Sequence, residues 1–352
     1  MRKWVVLLLV LILLLASGII MFSAKFVSST ASIPKIGAYY YPWYTGNWER
    51  DHSNTVDTPV LGKYNSSDVN VIRQHLSWFK ELKLDFLIVS WWGKDSLSDN
   101  NTKILLKEIV ASNNNLELFI MVEPFDFSWL EAYDTTTRLY NYRLIYDYIY
   151  ETYVLAYGVH YMKLQEHPLI AFYSGNGNNL TRNSDFQEDA RFTVRITGVD
   201  KYDWELQVPS STLSQQPLCR DGEINVMPRY DANGWQIDMT YSEGLYDQQW
   251  NKAIKFATQG MVNFVTIASW NEYAERTQIE PTNDTTSFTS SPYYLFERTR
   301  MYIDNIKSTQ TTKEVPFSMT WVAAVAVSAA VVEAGLLAYF IKRKKQVTKS
   351  EK

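Results

Sequence analysis

Seven short apolar or β-branched runs recur along the chain, at Ile36–Tyr41, Phe86–Ser90, Leu116–Val122, Leu169–Tyr173, Phe192–Thr197, Ile224–Met227 and Phe264–Ser269. Runs of this length predict strands. Between several of them the apolar positions fall at helical spacing. Val69, Ile72, Leu76 and Phe79 form one face of a helix over Val69–Leu82, and similar patterns cover Lys103–Val110, Leu139–Tyr157 and Gln248–Gln259. Strands alternating with helices imply a parallel sheet with helices packed on it. The first strand is not followed by a Gly-x-Gly-x-x-Gly turn, which weakens a dinucleotide-binding reading. Seven or eight such units over about 280 residues suit a (β/α)8 TIM barrel.

Two longer apolar runs lie outside this pattern. Residues Trp4 to Phe22 carry no charge and follow Met1-Arg2-Lys3, so residues 1–22 read as a signal peptide, cut near Ala16-Ser17-Gly18, or as an uncleaved signal anchor. Residues 317–341 are rich in Ala and Val and precede Lys342-Arg343-Lys344-Lys345, the pattern of a C-terminal transmembrane helix with a basic cytoplasmic tail over 342–352. Glu333 lies inside that run. Small polar residues at 23–32 and 308–316 read as linkers, which leaves 33–307 as the barrel domain. Basic flanks on both runs place that domain on the extracellular or lumenal side of a cell membrane. Four Asn-x-Ser/Thr sequons, at Asn65, Asn100, Asn179 and Asn283, fit an external glycoprotein.

Charge sharpens this division. Eight basic residues lie at the ends, and setting them aside with Glu333 and Glu351 leaves 26 basic against 36 acidic residues in the body. An acidic body argues against a nucleic-acid partner. The single cysteine, Cys219, excludes an internal disulfide and a cysteine-based zinc cage, and the four histidines show no metal-ligand spacing. No metal or cofactor is expected. The chain also lacks an Asp-x-Asp triplet, which argues against a nucleotide-sugar transferase.

In a TIM barrel the active site forms just after the strands. Those positions carry Tyr39-Tyr40-Tyr41-Pro42-Trp43-Tyr44, Ser90-Trp91-Trp92-Gly93, Glu123-Pro124-Phe125, Pro228-Arg229-Tyr230-Asp231 and the string Ser269 to Pro281. The chain holds 12 Trp, 24 Tyr and 16 Phe, more rings than a core needs. Rings gathered with carboxylates are the chemistry of carbohydrate cleavage, because sugar C–H faces pack on Trp and Tyr while acids act on hydroxyls and the glycosidic oxygen. Core packing is the commoner fate of a single Trp. Trp91 and Trp92 are adjacent on a strand, so at most one faces the barrel interior and the other must find a helix or a cleft. Solvated loops are expected for Glu49, Asp51 and Glu243. Glu272 and Glu275 stand three apart directly after an apolar strand, and a helical turn there would bring their Cβ atoms to about 5–6 Å.

These strings resemble glycoside hydrolase family 99, the endo-acting α-mannosidases and α-mannanases. The resemblance rests on Ile36 to Trp43, Ser90-Trp91-Trp92-Gly93, Glu123-Pro124 and, most specifically, Asn271-Glu272-x-x-Glu275-x-Thr277-Gln278-Ile279-Glu280-Pro281. It implies a (β/α)8 barrel and retaining hydrolysis of internal α-mannosidic bonds, through attack of the sugar's own 2-hydroxyl and a 1,2-anhydro intermediate. Glu272 would then take the 2-hydroxyl proton, and Glu275 would protonate the leaving oxygen and later activate water. Tyr41, Trp43, Trp91, Trp92, Glu123, Arg229, Tyr230 and Asn271 are the expected substrate-binding residues. The partner implied is an oligosaccharide. The chain departs from the family where members usually read Asn-Glu-Trp-His-Glu-Gly, having Tyr273, Ala274 and Arg276 instead, and it has Phe125 where Tyr is usual. The alternative reading is a catalytically inactive, membrane-anchored glycan-binding protein that uses the same cleft.

Overall fold

The computed structural model describes residues 33–53, 55–123, 135–174, 180, 186–198, 203–205, 219–231, 238–239, 243–283 and 291–311. The two apolar runs, the 23–32 linker, Asn179, Pro124 and Phe125 lie outside these residues, as do residues 312–316 of the second linker. Chain contacts separate a unit ending at Ser308 from one beginning at Thr309, and only the first is treated below. No helix among the described residues is long and apolar enough to cross a membrane.

Eight strands run parallel in one curled sheet: β1 (Lys35–Tyr40), β2 (Phe86–Trp91), β3 (Glu117–Val122), β4 (His167–Ser174), β5 (Thr193–Gly198), β6 (Trp204–Glu205), β7 (Glu223–Val226) and β8 (Phe264–Ile267). Their hydrogen-bonded order is β6-β5-β4-β3-β2-β1-β8-β7. That is barrel order, and β6 and β7, at its two ends, lie in contact. All seven strands expected from the apolar runs are present; β6 is the additional one. Helix α1 (Val69–Leu82) follows β1, α2 (Leu97–Ala111) follows β2, α3 (Thr135–Ile149) follows β3, α4 (Glu243–Thr258) follows β7 and α5 (Tyr294–Thr311) follows β8. The last was not legible in the pattern, and it runs past the expected boundary at 307.

Helix α1 shows why the sequence sets its ends. The Asp68 side chain accepts from the Asn70 amide at 2.8 Å, capping free N–H groups, and Lys83 adopts a left-handed φ of 57° that closes the C-terminus. Its buried face carries Ile72, His75, Leu76, Phe79 and Leu82. Strand alternation sorts the barrel interior from the helix-facing side. Phe86, Phe119, Phe264 and Trp204 meet ring to ring inside, with centroids 5.1–6.1 Å apart. Gly37 is needed there, because a Cβ would sit 2.3 Å from Phe86 Cε2. Above them the Tyr39 hydroxyl crosses from β1 to Thr197 on β5 at 3.0 Å. Tyr40 points the other way, to His75 of α1.

Candidate active site

The inward register continues past the strand ends and selects the site. One step beyond Tyr39 on the same face is Tyr41, beyond Ser90 is Trp92, and beyond Met121 is Glu123. The Ser90 hydroxyl donates to Glu123 Oε1 at 3.1 Å and accepts from the Trp92 indole N–H at 2.9 Å. Trp92 also meets Trp43 edge to face at 5.6 Å, and Trp43 lies 4.8 Å from Tyr41 and stacks on His52 at 6.2 Å. Trp43, Trp92 and His52 are each half-buried, so they offer ring surface to solvent.

The loop after β8 is closed on itself. Ser269 N–H donates to the Thr277 carbonyl at 2.9 Å, and the Ser269 and Thr277 hydroxyls meet at 2.8 Å. Asn271 acts as a strand partner in side-chain form: its oxygen accepts from the Tyr41 amide at 2.8 Å and its nitrogen donates to the Tyr41 carbonyl at 3.0 Å. Glu272 is 3% exposed. Its Oε1 accepts from the Ala274 amide at 2.9 Å, so the carboxyl group folds back on its own loop. Glu275 is half-buried and accepts from the Tyr230 hydroxyl at 3.4 Å.

Electrostatics place Glu123, Glu272 and Glu275 around Tyr41. Burial, then these three carboxylates, push the Tyr41 phenol well above its usual range. Glu272 is raised well above the ordinary carboxylate range, by burial first and the Glu275 charge second, against the pull of two backbone amides. Burial pushes Glu123 up to about 8, with the Ser90 bond opposing and Glu275 adding to the rise. The site therefore holds two buried carboxyls whose charged forms are disfavoured, beside one that solvent can reach. Acid-base chemistry needs carboxyl groups of this kind in different environments.

Three of the expected substrate contacts do not face the cleft. Trp91 is fully buried on the helix side, donating to Asp99 Oδ1 at 2.8 Å and stacking on Tyr148, because the strand alternation that turns Trp92 inward turns it outward. Arg229 is committed to Asp57 at 3.0 Å and to the Arg276 carbonyl at 2.6 Å. Asn271 is buried with both ends of its amide engaged. Tyr41, Trp43, Trp92, Glu123, Tyr230, Glu272 and Glu275 are gathered at one rim. The loops expected for Glu49, Asp51 and Glu243 are helical: Glu49 and Asp51 are exposed on a one-turn helix, Trp48–Asp51, and Glu243 opens α4.

Other residues were given no role by the sequence. Glu280 is buried and bonded to His75 Nε2 at 2.9 Å, Tyr64 at 2.9 Å and Tyr273 at 3.0 Å, which ties the far end of the β8 loop to α1. Tyr44 donates to the Asn271 carbonyl at 2.7 Å. Asp57 came with no motif at all. Among the described residues no group of His, Cys, Asp and Glu could hold a metal ion.

No family model and no curated protein matches the chain. Solved structures do. A GH99 endo-α-mannosidase from Bacteroides thetaiotaomicron, in complex with bis-tris-propane, superimposes with a TM-score of 0.56 at 18% identity, covering 79% of this chain and 99% of its own. A second structure of a GH99 endo-α-mannosidase from that organism gives 0.52 at 19%, covering 78% and 98%. A glycoside hydrolase-like protein gives 0.52 at 14%, covering 78% and 94%. The chain has the fold of these GH99 structures. Identities this low speak for the fold, and the GH99 fold puts the loops after β1, β2, β3, β7 and β8 at the end of the barrel where TIM-barrel enzymes carry their chemistry.

Proposed function

We propose that the protein is a retaining glycoside hydrolase that cleaves internal α-mannosidic or related α-glycosidic bonds. The observation that carries this reading is the meeting of Glu123, Glu272 and Glu275 around Tyr41 at the strand ends, beside the half-exposed rings of Trp43 and Trp92. The Glu272–Glu275 pair reacts in the form that carries one proton, held by Glu275. In the first step Glu272 accepts the proton of the sugar 2-hydroxyl as O2 attacks C1. The C1–O glycosidic bond breaks, and the leaving oxygen takes a proton from Glu275. In the second step Glu275 removes a proton from water, which attacks C1; the C1–O2 bond of the 1,2-anhydro sugar opens and O2 recovers its proton from Glu272. The solvent access of Glu275 supports its role toward leaving group and water, and the enclosure of Glu272 supports a proton exchange with the bound sugar alone. Glu123, carrying a proton, donates a hydrogen bond to a sugar hydroxyl.

Membrane tethering through residues 317–341, with the barrel outside the cytoplasm, belongs to the same proposal and rests on the apolar run and its basic flank. The test is a digest of a panel of α-linked oligosaccharides with the full-length chain, read by mass. Release of internal fragments, absent in Glu272→Gln and Glu275→Gln, is the expected result. Binding without cleavage would replace the hydrolase with the glycan-binding reading.

A further inference from the structure

Arg276 has no part in the chemistry above, yet it is buried next to Glu275 and its φ is +56°. A left-handed backbone costs a side-chain-bearing residue roughly 1–2 kcal/mol, so something must hold it there. The guanidinium does. Its Nε donates to Asp57 Oδ2 and its Nη2 to Asp57 Oδ1, both at 2.9 Å, the two-pronged geometry that suits a carboxylate. Asp57 is fully buried in the loop after β1 and also receives Arg229 Nη2 and Gln278 Nε2, each at 3.0 Å. Arg229, from the loop after β7, returns through its Nε to the Arg276 carbonyl at 2.6 Å. Side chain and carbonyl of residue 276 are thus both fastened, to two different loops.

We infer that Arg276 is a positioning residue: its clamp on Asp57 holds residue 276 in the left-handed conformation, which aims the adjacent Glu275 at Tyr230 and toward Glu272. The inference rests on the hydrolase reading and names what keeps Glu275 in place. Glu275 is faced by Glu272 on its own loop, by Tyr41 from the end of β1, by Glu123 from the end of β3 and by Tyr230 after β7. Released from the clamp, residue 276 would leave Glu275 free to turn away from the reacting oxygen. The clamp is specific to a guanidinium, because its planar fork presents two separate N–H groups to the two Asp57 oxygens, which the single nitrogen of an ammonium does not.

The test is Arg276→Gly in the full-length chain, since glycine accepts this φ without strain and the fold should survive. On an α-mannoside, kcat should fall about tenfold or more with KM within about twofold, the mark of a group misplaced in the transition state. The Glu275 carboxyl, followed by 13C NMR with glutamate labelled at Cδ and assigned through Glu275→Gln, should titrate at lower pH as it turns away from the Glu272 and Glu123 carboxylates toward solvent. Asp57→Asn should move it too, and Arg276→Lys should recover only part of kcat. Wild-type kcat with an unmoved titration in Arg276→Gly overturns the inference, and so does unfolding of that variant, which would make the pair a stability element. If the wild type cleaves no α-mannoside, the hydrolase reading fails and the titration alone decides: a downward shift in Arg276→Gly upholds the clamp, and no shift or an upward one ends it.

Discussion

At the N-terminal ends of the strands Glu117 pairs with Lys35, Lys307 donates to both oxygens of Asp85 at 2.9 Å, and Lys83 reaches Asp304 at 2.5 Å, all of them partly in solvent. At the C-terminal ends Glu123 and Glu272 are buried, and their described partners are a serine hydroxyl and backbone amides. The same residue type is thus used in two ways. A carboxylate beside a cation in water keeps its charge and contributes little to stability. In a buried carboxyl with neutral partners the charged form is disfavoured, which costs stability near neutral pH but leaves a group able to exchange a proton with a ligand.

The largest effect that would break this contrast is catalytic. Glu272→Gln should lower kcat/KM on an α-mannoside by about 10²- to 10⁴-fold, the usual scale of acid-base catalysis. Glu117→Gln, an equal change at the other end, should leave it unaltered. Equal losses in the two variants would remove any functional distinction between the ends.

Next comes the adjacent pair of tryptophans. Trp91→Ala empties a fully buried site and deprives Asp99 of a donor, so a loss of about 3–5 kcal/mol is expected in denaturant unfolding. Trp92→Ala should cost about 1 kcal/mol or less and should instead raise KM for longer oligosaccharides. Similar unfolding costs for both would show that Trp92 belongs to the core.

This pair also shows how much the sequence discloses. Alternation requires that the two rings part, but nothing in the string Ser90-Trp91-Trp92-Gly93 says which one turns inward; the register of β2 against β1, Gly37 to Phe86, decides it. Strand cores and α1 were legible because apolar runs and helical spacing are local signals. Helix α2 begins at Leu97, earlier than its apolar period suggests, because Ser96 caps it through the Asp99 amide at 3.1 Å. Glu272 and Glu275 were legible from their place after a strand and from a family string. Asp57 was not, since its role depends on two arginines more than 170 residues away. Long-range polar pairing leaves no periodicity to read.

A smaller effect sharpens the contrast through pH. The Glu123 carboxyl is raised from 4.5 to about 8, so its protonated form stabilises the fold fully below about pH 4.5, and that contribution is lost as pH rises toward 8. Across this window the wild type should lose stability on the order of 2–4 kcal/mol from this group. Glu272 adds a loss of the same sign. Glu123→Gln should flatten the fall in Tm between pH 5 and 8 without changing Tm at pH 4. An unchanged slope would mean that Glu123 is ionised in the folded protein and resembles the carboxylates at the other end.

The smallest effect tests the N-terminal end itself. Lys83 closes α1 with φ +57°, a conformation glycine adopts freely, while its ammonium pairs with Asp304 at a position where both side chains are about half exposed. Replacing it by glycine removes roughly 1–2 kcal/mol of backbone strain, returns about 0.5–1 kcal/mol through the freer unfolded chain and forfeits at most about 1 kcal/mol of ion pair. At low salt these terms nearly cancel. At 1 M salt the Debye length is about 3 Å and the pair contributes nothing, so Lys83→Gly should then be more stable than wild type by about 0.5–1 kcal/mol. The measurement is urea unfolding of both proteins at low and high salt. A variant that stays weaker at 1 M salt would show that Lys83 holds this end by packing of its alkyl chain, and charge pairing would no longer be what sets the two ends of the barrel apart.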